Sequence, residues 1–387
     1  MLAMLNGSAL PGFQKKLLAW FAECKRDLPW RRTKDPYCIW LSEIMLQQTR
    51  VAAAVPYYQR FLERFPEVNA LAAAPEEEVL RHWAGLGYYS RARNLQKAAR
   101  QIVAEHDSQF PDGCEKALAL SGIGAYTAAA ILSIAYGKQL AVLDGNVARV
   151  ISRLCAIRGD LRAGGRWLQL QKAADKLLAS HAPGDWNQAM MELGATICTP
   201  RSPQCLLCPV TEFCQARKLG LADVIPEKRN KRTPVEITLA ALVLVDPRGR
   251  TLLLPPPKSE GRLSAENDPG TLLSRMWHFP TIHVQAEAAK ELRTFAKNSI
   301  LPVLKSPVKF RALPKVRHAV TYRQIKLFPF RLDVSKLPRV ANAKALPLDD
   351  LSRVPISNLT RKVAQAALSS NNNGRKPKGG HALSLRF

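Results

Sequence analysis

The stretch LALSGIGAYTAAAILSIAYGKQLAVLDGNVAR, residues 118–149, restricts the fold more than any other part of the chain. It combines a tight Gly-X-Gly turn at Gly122 and Gly124, an Ala-rich helix, a short apolar connection, and Asp144 directly before the periodic segment VARVISRL. Glycine supplies positive φ and lets a backbone approach a ligand without a Cβ in the way. The first N–H groups of the following helix point outward, and with the helix dipole they form an anion site. Asp144 stands at an N-cap position, where the positive helix end is expected to hold its carboxylate ionised. A plain helix hairpin with a capping Asp explains the same residues, so the rest of the chain must decide between them.

Charge is the next discriminator. Lys and Arg number 57 against 31 Asp and Glu, a net +26. A chain this basic is expected to meet a polyanion, nucleic acid first and an anionic membrane surface second. No run of eighteen apolar residues occurs, so no bilayer-spanning helix is predicted. The start, MLAMLNGSALPGF, lacks the basic and apolar regions of a signal peptide. The expectation is a monomer of a reducing, cytoplasmic compartment (nucleoid-associated in a bacterium), where cysteines serve as metal ligands or core residues rather than disulfides. Cys198, Cys205, Cys208 and Cys214 form C-x6-C-x2-C-x5-C. Structural zinc prefers two close pairs, and only one is present; the wider spacings favour a [4Fe–4S] cluster. Cys24, Cys38, Cys114 and Cys155 are scattered and read as core residues.

Residues 1–216 read as all-helical, with apolar residues at helical spacing punctuated by Pro and Gly. Helices are expected over 13–21, from Pro36 through YCIWLSEIMLQQT, from Pro56 to Phe65, from Pro75 to WAGLGYY, from Ser90 to His106, after Gly124, after Asp144, and over 166–180 and 185–197. Residues 217–234 suit a linker. From 235 the texture becomes β-branched: VEITLAALVLV, a DPRGR turn and TLLL predict a hairpin. Further strands are predicted at 276–284, 316–322 and 325–333, and helices at 285–297 and 358–368, so 235–368 reads as an α+β domain. Residues 255–270 form a long polar loop and 369–387 a disordered basic tail.

Taken with the hairpin and the cysteine loop, LPWR (28–31), SEIMLQQTRV (42–51), WAGLGYYSRARN (83–94), DGNVARV (144–150) and MELGATICTP (191–200) give residues 1–216 a specific resemblance. They resemble the MutY-type adenine DNA glycosylases of the endonuclease III, or helix-hairpin-helix, superfamily. MWHFP (276–280) and KVRHAVTYRQIKL (315–327) make 235–368 similar to their MutT-like (Nudix-fold) C-terminal domain. The resemblance implies hydrolytic removal of adenine mispaired with 8-oxoguanine or guanine in duplex DNA, with the cluster held by the four cysteines.

Residue by residue, it implies that Glu43 is the catalytic acid, which calls for a carboxyl raised by its apolar helix. Asp144 stabilises the sugar cation, and Tyr126 and Asn146 orient the carboxylates and the sugar. Relatives with lyase activity carry a nucleophilic Lys where Tyr126 stands, so a monofunctional enzyme is expected. Trp30, Arg31 and Gln188 fall at adenine-pocket positions. Gln47, Gln48, Leu86 and Tyr88 lie in the motifs that wedge the duplex, and Gly122 and Gly124 hold a phosphate. Thr321 stands in a Val320-Thr321-Tyr322 run where the family has Phe-Ser-His, and it keeps a hydroxyl for 8-oxoguanine. Arg91, Arg93, Lys138 and Arg149 are expected phosphate contacts. AEAAKELRTF lacks the paired acids of a Nudix box, so nucleotide hydrolysis is not expected. Two alternatives are an endonuclease III-like glycosylase-lyase acting on oxidised pyrimidines and a non-catalytic iron–sulfur DNA-binding protein.

Overall fold

The computed structural model describes residues 9–227, 233–256, 276–285, 287–300, 310–320 and 322–370. The chain divides into two compact units: residues up to 74 together with 90–230, and 75–89 together with the residues from 231 on.

The first unit is helical. It contains α1 (Ala9–Cys24), a 3-10 turn at Pro29–Arg31, α2 (Pro36–Leu46), α3 (Val51–Arg64) and α4 (Val68–Ala73). After the excursion into the second unit, which holds α5 (Glu76–Trp83), it continues with α6 (Ser90–Glu105), α7 (Cys114–Ala119), α8 (Ala125–Tyr136) and α9 (Gly145–Leu154). It ends with α10 (Arg166–Leu177), α11 (Pro183–Thr196) and the one-turn α12 (Gln215–Lys218). Helices α2 and α8 pack against each other, and each is buried almost all round. That follows from their sequences, which are apolar on every face rather than along one stripe. Any polar side chain on them is therefore desolvated.

Several local readings need amendment. Pro56 does not open a helix: α3 starts at Val51, and the Arg50 carbonyl already accepts from Ala53 and Ala54 N–H at 3.0 Å each. The helix from Pro75 stops at Trp83, because Gly85, Gly87 and Tyr88 all have positive φ. The short α4 and α7 were not expected, since six residues are too few to show a period. Cys24 and Cys114 are exposed and not core residues. Residues 75–89 fall within the 1–216 stretch by sequence, yet they are fastened to the second unit. Glu77 pairs with Lys344 at 2.7 Å, Gly85 O accepts from Asn358 at 3.2 Å, and the Tyr89 hydroxyl donates to Ile356 O at 3.3 Å.

The second unit is a seven-stranded sheet in the order β4-β6-β1-β2-β7, with β3 also on β1 and β5 also on β6. The strands are β1 (Val235–Val245), β2 (Arg250–Leu253), β3 (Thr281–His283), β4 (Arg311–Ala312), β5 (Val316–Val320), β6 (Arg323–Asp333) and β7 (Lys344–Pro347). Strands β1 and β6 run parallel from Val235↔Arg323 to Val245↔Asp333, and every other pairing is antiparallel. Helix α14 (Asn358–Ser369) packs Leu359, Val363 and Ala367 on one face of β1, at Ile237, Leu239 and Val243. Helix α13 (Ala288–Phe295), continued by a π turn at Ala296–Ile300, covers Ala240, Leu242 and Leu244 on the other. A strand buried on both faces must be apolar at successive positions, which is how LAALVLV reads. The expected hairpin between β1 and β2 is present. Asp246 accepts from the Arg248 and Arg250 backbone N–H groups, and Gly249 has φ 73°. Thr321 lies outside the described residues, as do most of the 255–270 loop and the tail beyond 370. No helix among the described residues is long and apolar enough to cross a membrane.

Candidate active site

The packing of α2 on α8, with α9 and α11 alongside, creates one pocket in the helical unit, of about 590 Å³. Trp30, Arg31, Glu43, Gln47, Gln48, Tyr126, Asp144, Asn146 and Gln188 all line it. The structure therefore gathers nine of the expected residues from five separate sequence segments.

Glu43 projects from the third turn of α2 and is 6% exposed. Its Oε2 accepts from the Tyr126 hydroxyl at 2.7 Å, and that hydroxyl also lies 3.3 Å from Met191 Sδ. Burial pushes the Glu43 carboxyl up to about 7; the Tyr126 hydrogen bond opposes this and the charge of Asp144 adds to it. Burial likewise lifts the Tyr126 phenol well above its ordinary value, so Tyr126 stays a neutral donor.

Asp144 caps α9. Its Oδ1 accepts from Val147 N–H at 2.7 Å and its Oδ2 from Asn146 Nδ2 at 2.9 Å. Burial raises Asp144 as well, against the backbone donors of Val147 and Asn146, the Asn146 side chain and Arg149. A helix end stands behind these donors and acts in the same direction. Two carboxyls thus share one pocket in different surroundings: Glu43 meets a phenol, and Asp144 meets backbone and amide donors at a helix end.

Other residues divide more sharply. Trp30 packs edge-on against Tyr58, with ring centroids 5.3 Å apart. Arg31 is held by Glu192, Nη2 to Oε2 at 2.9 Å, and lies over the Phe21 ring. Glu192 also takes Arg26 at 2.6 and 2.7 Å. Burial acts to raise Glu192, but the two arginines prevail and hold it at about 2. The MELGATICTP motif contains Glu192 but does not by itself assign it this role, because its arginine partners lie more than 160 positions away in sequence. Gln47 donates weakly to Thr127 at 3.4 Å, and Gln48 follows α2 with φ 57°, a conformation rare outside glycine. Leu86 and Tyr88 belong to the other compact unit and do not line this pocket.

In the hairpin, Gly122 has φ 79°, and a Cβ there would stand 2.7 Å from Asn94 Cβ. Gly124, expected to share the conformation, is instead extended, with open space about its α-carbon. No side chain caps the N-terminus of α8 that it begins.

Two of the expected phosphate contacts are not at the surface. Arg91 is buried and donates to the carbonyls of Ile44, Met45 and Gln47 at the end of α2. Arg149 is buried and donates to Cys198 O at 2.8 Å, Gly194 O at 2.7 Å and Asn146 Oδ1 at 2.9 Å. It ties the residue beside Asp144 to the start of the cysteine loop. Lys138 pairs with Asp112 at 2.9 Å.

Cys198, Cys205, Cys208 and Cys214 line one small cavity. Among the described residues no three His, Cys, Asp or Glu side chains are placed to hold a single metal ion. Burial pushes the Cys208 thiol up to about 12, and Cys198, Cys214 and Cys205 raise it further. A bound metal centre reverses that penalty by holding the thiolates.

Known proteins place this geometry. Residues 41–175 match the HhH-GPD superfamily of base excision DNA repair proteins, and residues 198–214 match the iron–sulfur binding domain of endonuclease III. The chain is 47% identical over 215 residues to the adenine DNA glycosylase of Homo sapiens, covering 53% of this chain and 39% of that protein. It is 35% identical over 346 residues to the adenine DNA glycosylase of Arabidopsis thaliana, covering 80% of this chain and 53% of that one. The chain thus spans about half, or less, of the length of these relatives. Among solved structures, a thermostable thymine-DNA glycosylase superposes with TM-score 0.50 at 29% identity, over 54% of this chain and 97% of that one. By these matches residues 41–175 carry an HhH-GPD domain of the base excision DNA repair type, and residues 198–214 carry an iron–sulfur binding domain of the endonuclease III type.

Proposed function

We propose that this chain is an adenine DNA glycosylase that hydrolyses adenine from A:8-oxoguanine and A:G mispairs in duplex DNA. One observation carries the reading: two carboxyls, Glu43 and Asp144, line one nucleoside-sized pocket, with Glu43 buried and pushed up to about 7. A glycosylase extrudes its target nucleotide into such a pocket. Glu43, protonated near neutral pH, gives its proton to N7 of adenine, and the base departs neutral with the electrons of the glycosidic bond. The Asp144 carboxylate faces the positive charge that develops at C1′ and the ring oxygen. Water adds at C1′ and loses its proton, leaving an abasic site. Trp30, Arg31 and Gln188 hold the base, while Asn146 and Tyr126 fix the two carboxyls. Gly122 and Gly124 present the backbone N–H groups of α8 to a phosphate, and Gln47, Gln48, Leu86 and Tyr88 contact the opened duplex.

No lysine is among the described residues lining the pocket, and Tyr126 offers no amine for a Schiff base. Strand cleavage is therefore not an activity of this site. The four cysteines hold an iron–sulfur cluster, which cross-links the 198–214 loop when bound. Residues 235–368 act as a MutT-like reader of 8-oxoguanine through the β5–β6 hairpin and Thr321. Nucleotide hydrolysis is not part of this proposal, because AEAAKELRTF lacks the paired acids of a Nudix box.

The test is single-turnover base release from A:8-oxoguanine, A:G, G:T and thymine-glycol duplexes. Adenine release, with strand scission only after added alkali, is the expected result. Thymine or thymine-glycol release without adenine release overturns the proposal.

A further inference from the structure

A buried hydrogen-bond donor left without an acceptor costs about 1–3 kcal/mol, and more when charged. Two such donors line the same cavity as the four cysteines. Arg153 Nη2 and Thr211 Oγ1 are both shielded from solvent and have no partner among the described residues. The rest of Arg153 is fully engaged. Its Nε donates to Ile225 O at 2.7 Å, and its Nη1 donates to Thr199 O at 2.8 Å and contacts Cys198 Sγ at 3.2 Å. Those bonds fix the guanidinium plane, so Nη2 cannot turn away to find another acceptor. Arg153 is only 2% exposed, and no carboxylate pairs with it among the described residues. An uncompensated buried cation of this kind calls for an anion beside it. Thr211 opens the turn between Cys208 and Cys214, which keeps its hydroxyl within the ligand loop. A thiolate-ligated iron–sulfur cluster is a buried anion whose surface is sulfur acceptors, and hydrogen bonds to those sulfurs set its potential.

We propose that Arg153 and Thr211 are the hydrogen-bond donors to the sulfur atoms of the iron–sulfur cluster and set its reduction potential. The sign follows from charge. Added electron density collects on iron and sulfur, so a cation and an aligned O–H both favour the reduced form. Removing either donor lowers the potential. Both are positioning residues toward the cluster, and the inference does not depend on which base the enzyme removes.

The experiment uses the full chain purified with its cluster as wild type, Thr211→Val, Thr211→Ser, Arg153→Lys and Arg153→Met. Iron and sulfide content fixes the loaded fraction, and mediated spectroelectrochemistry reads the midpoint potential of its one-electron couple. Thr211→Val keeps the shape and loses the donor. It is expected to lower the reduction equilibrium about tenfold, which is 59 mV for one electron. Thr211→Ser is expected to restore the wild-type value. Arg153→Met is expected to fall further than Arg153→Lys, which keeps the charge. Fully loaded Thr211→Val and Arg153→Lys with unmoved potentials overturn the proposal. Where Arg153→Met fails to assemble the cluster, the threonine pair decides alone: a fall in Val recovered in Ser upholds the donors, and no fall in Val refutes them.

Discussion

Glu43→Gln separates what Glu43 does for chemistry from what it costs the fold. The Glu43 carboxyl moves from 4.5 to about 7 on folding, chiefly by burial. At 1.36 kcal/mol per unit, that rise is about 3 kcal/mol. The folded pKa lies above the unfolded one, so between pH 4.5 and 7 the folded state holds a proton that the unfolded state has lost. Stability from this group therefore falls as pH rises through that window and is constant above it. Glutamine stays neutral and keeps an oxygen for the Tyr126 hydroxyl. The variant should thus match wild type near pH 4 and exceed it by about 3 kcal/mol at pH 8. Hydrogen exchange of the α2 backbone amides measures this without needing reversible unfolding of the whole chain. The protection-factor ratio of variant to wild type is expected to rise roughly a hundredfold from acid to pH 8. Base release should be abolished at both ends while duplex binding persists. A ratio that does not change with pH would falsify the claim that burial keeps this acid protonated. Undiminished turnover would remove Glu43 from the chemistry.

Three further outcomes follow from the pocket. Tyr126→Phe removes the hydrogen bond that pulls Glu43 down, so the alkaline limb of the single-turnover pH profile should move to higher pH; a downward move contradicts the assignment. Glu192→Gln leaves Arg26 and Arg31 with a neutral partner in a buried site, at a cost of about 3–5 kcal/mol. The folded pKa of Glu192 is depressed to about 2, so this contribution is present above about 4.5 and is lost as pH falls towards 2. Melting should then be lower than wild type at neutral pH and converge with it in acid; a gap of constant size rejects the ion-pair account. Gly194→Ala puts a Cβ 2.7 Å from Asn146 Cβ and 3.1 Å from Asn146 O, inside a helix that cannot bend aside. Because Asn146 orients Asp144, the rate of base release should fall more than DNA affinity does, and equal losses in both would point to general unfolding.

Elements with a long period were legible before any coordinates. The apolar all-round helices α2 and α8, the Asp144 cap, and the β1–β2 hairpin all read directly from spacing and turn chemistry. What was missed is what only tertiary contact decides. Six residues of α4 or α7 carry no period. Pro56 marks a helix start by rule, yet α3 begins at Val51, because the Arg50 carbonyl had already taken two donors. Strand β7, four residues long, is defined by pairing with β2 rather than by composition. Residues 75–89 show no composition shift; their bonds to Ile356, Asn358 and Lys344 join them to partners more than 250 positions away.

The basic charge misled in a more instructive way. In a chain of net +26, each arginine invites a phosphate, and Arg91 and Arg149 were read so. Burial overturns the reading: Arg91 spends its donors on the open carbonyls that end α2, just past Glu43, and Arg149 on Asn146 and Cys198. The pattern that distinguishes such residues is local. Arg149 and Arg153 stand four apart on α9, a helix whose residues from Val147 to Leu154 are all buried, so both guanidiniums must leave from one face into protein. A cation placed there has to meet carbonyls or an anion, because burial shields it from solvent. Net charge reports on the partner the whole surface will meet. The burial of the helix that carries an arginine decides whether that arginine meets the partner at all.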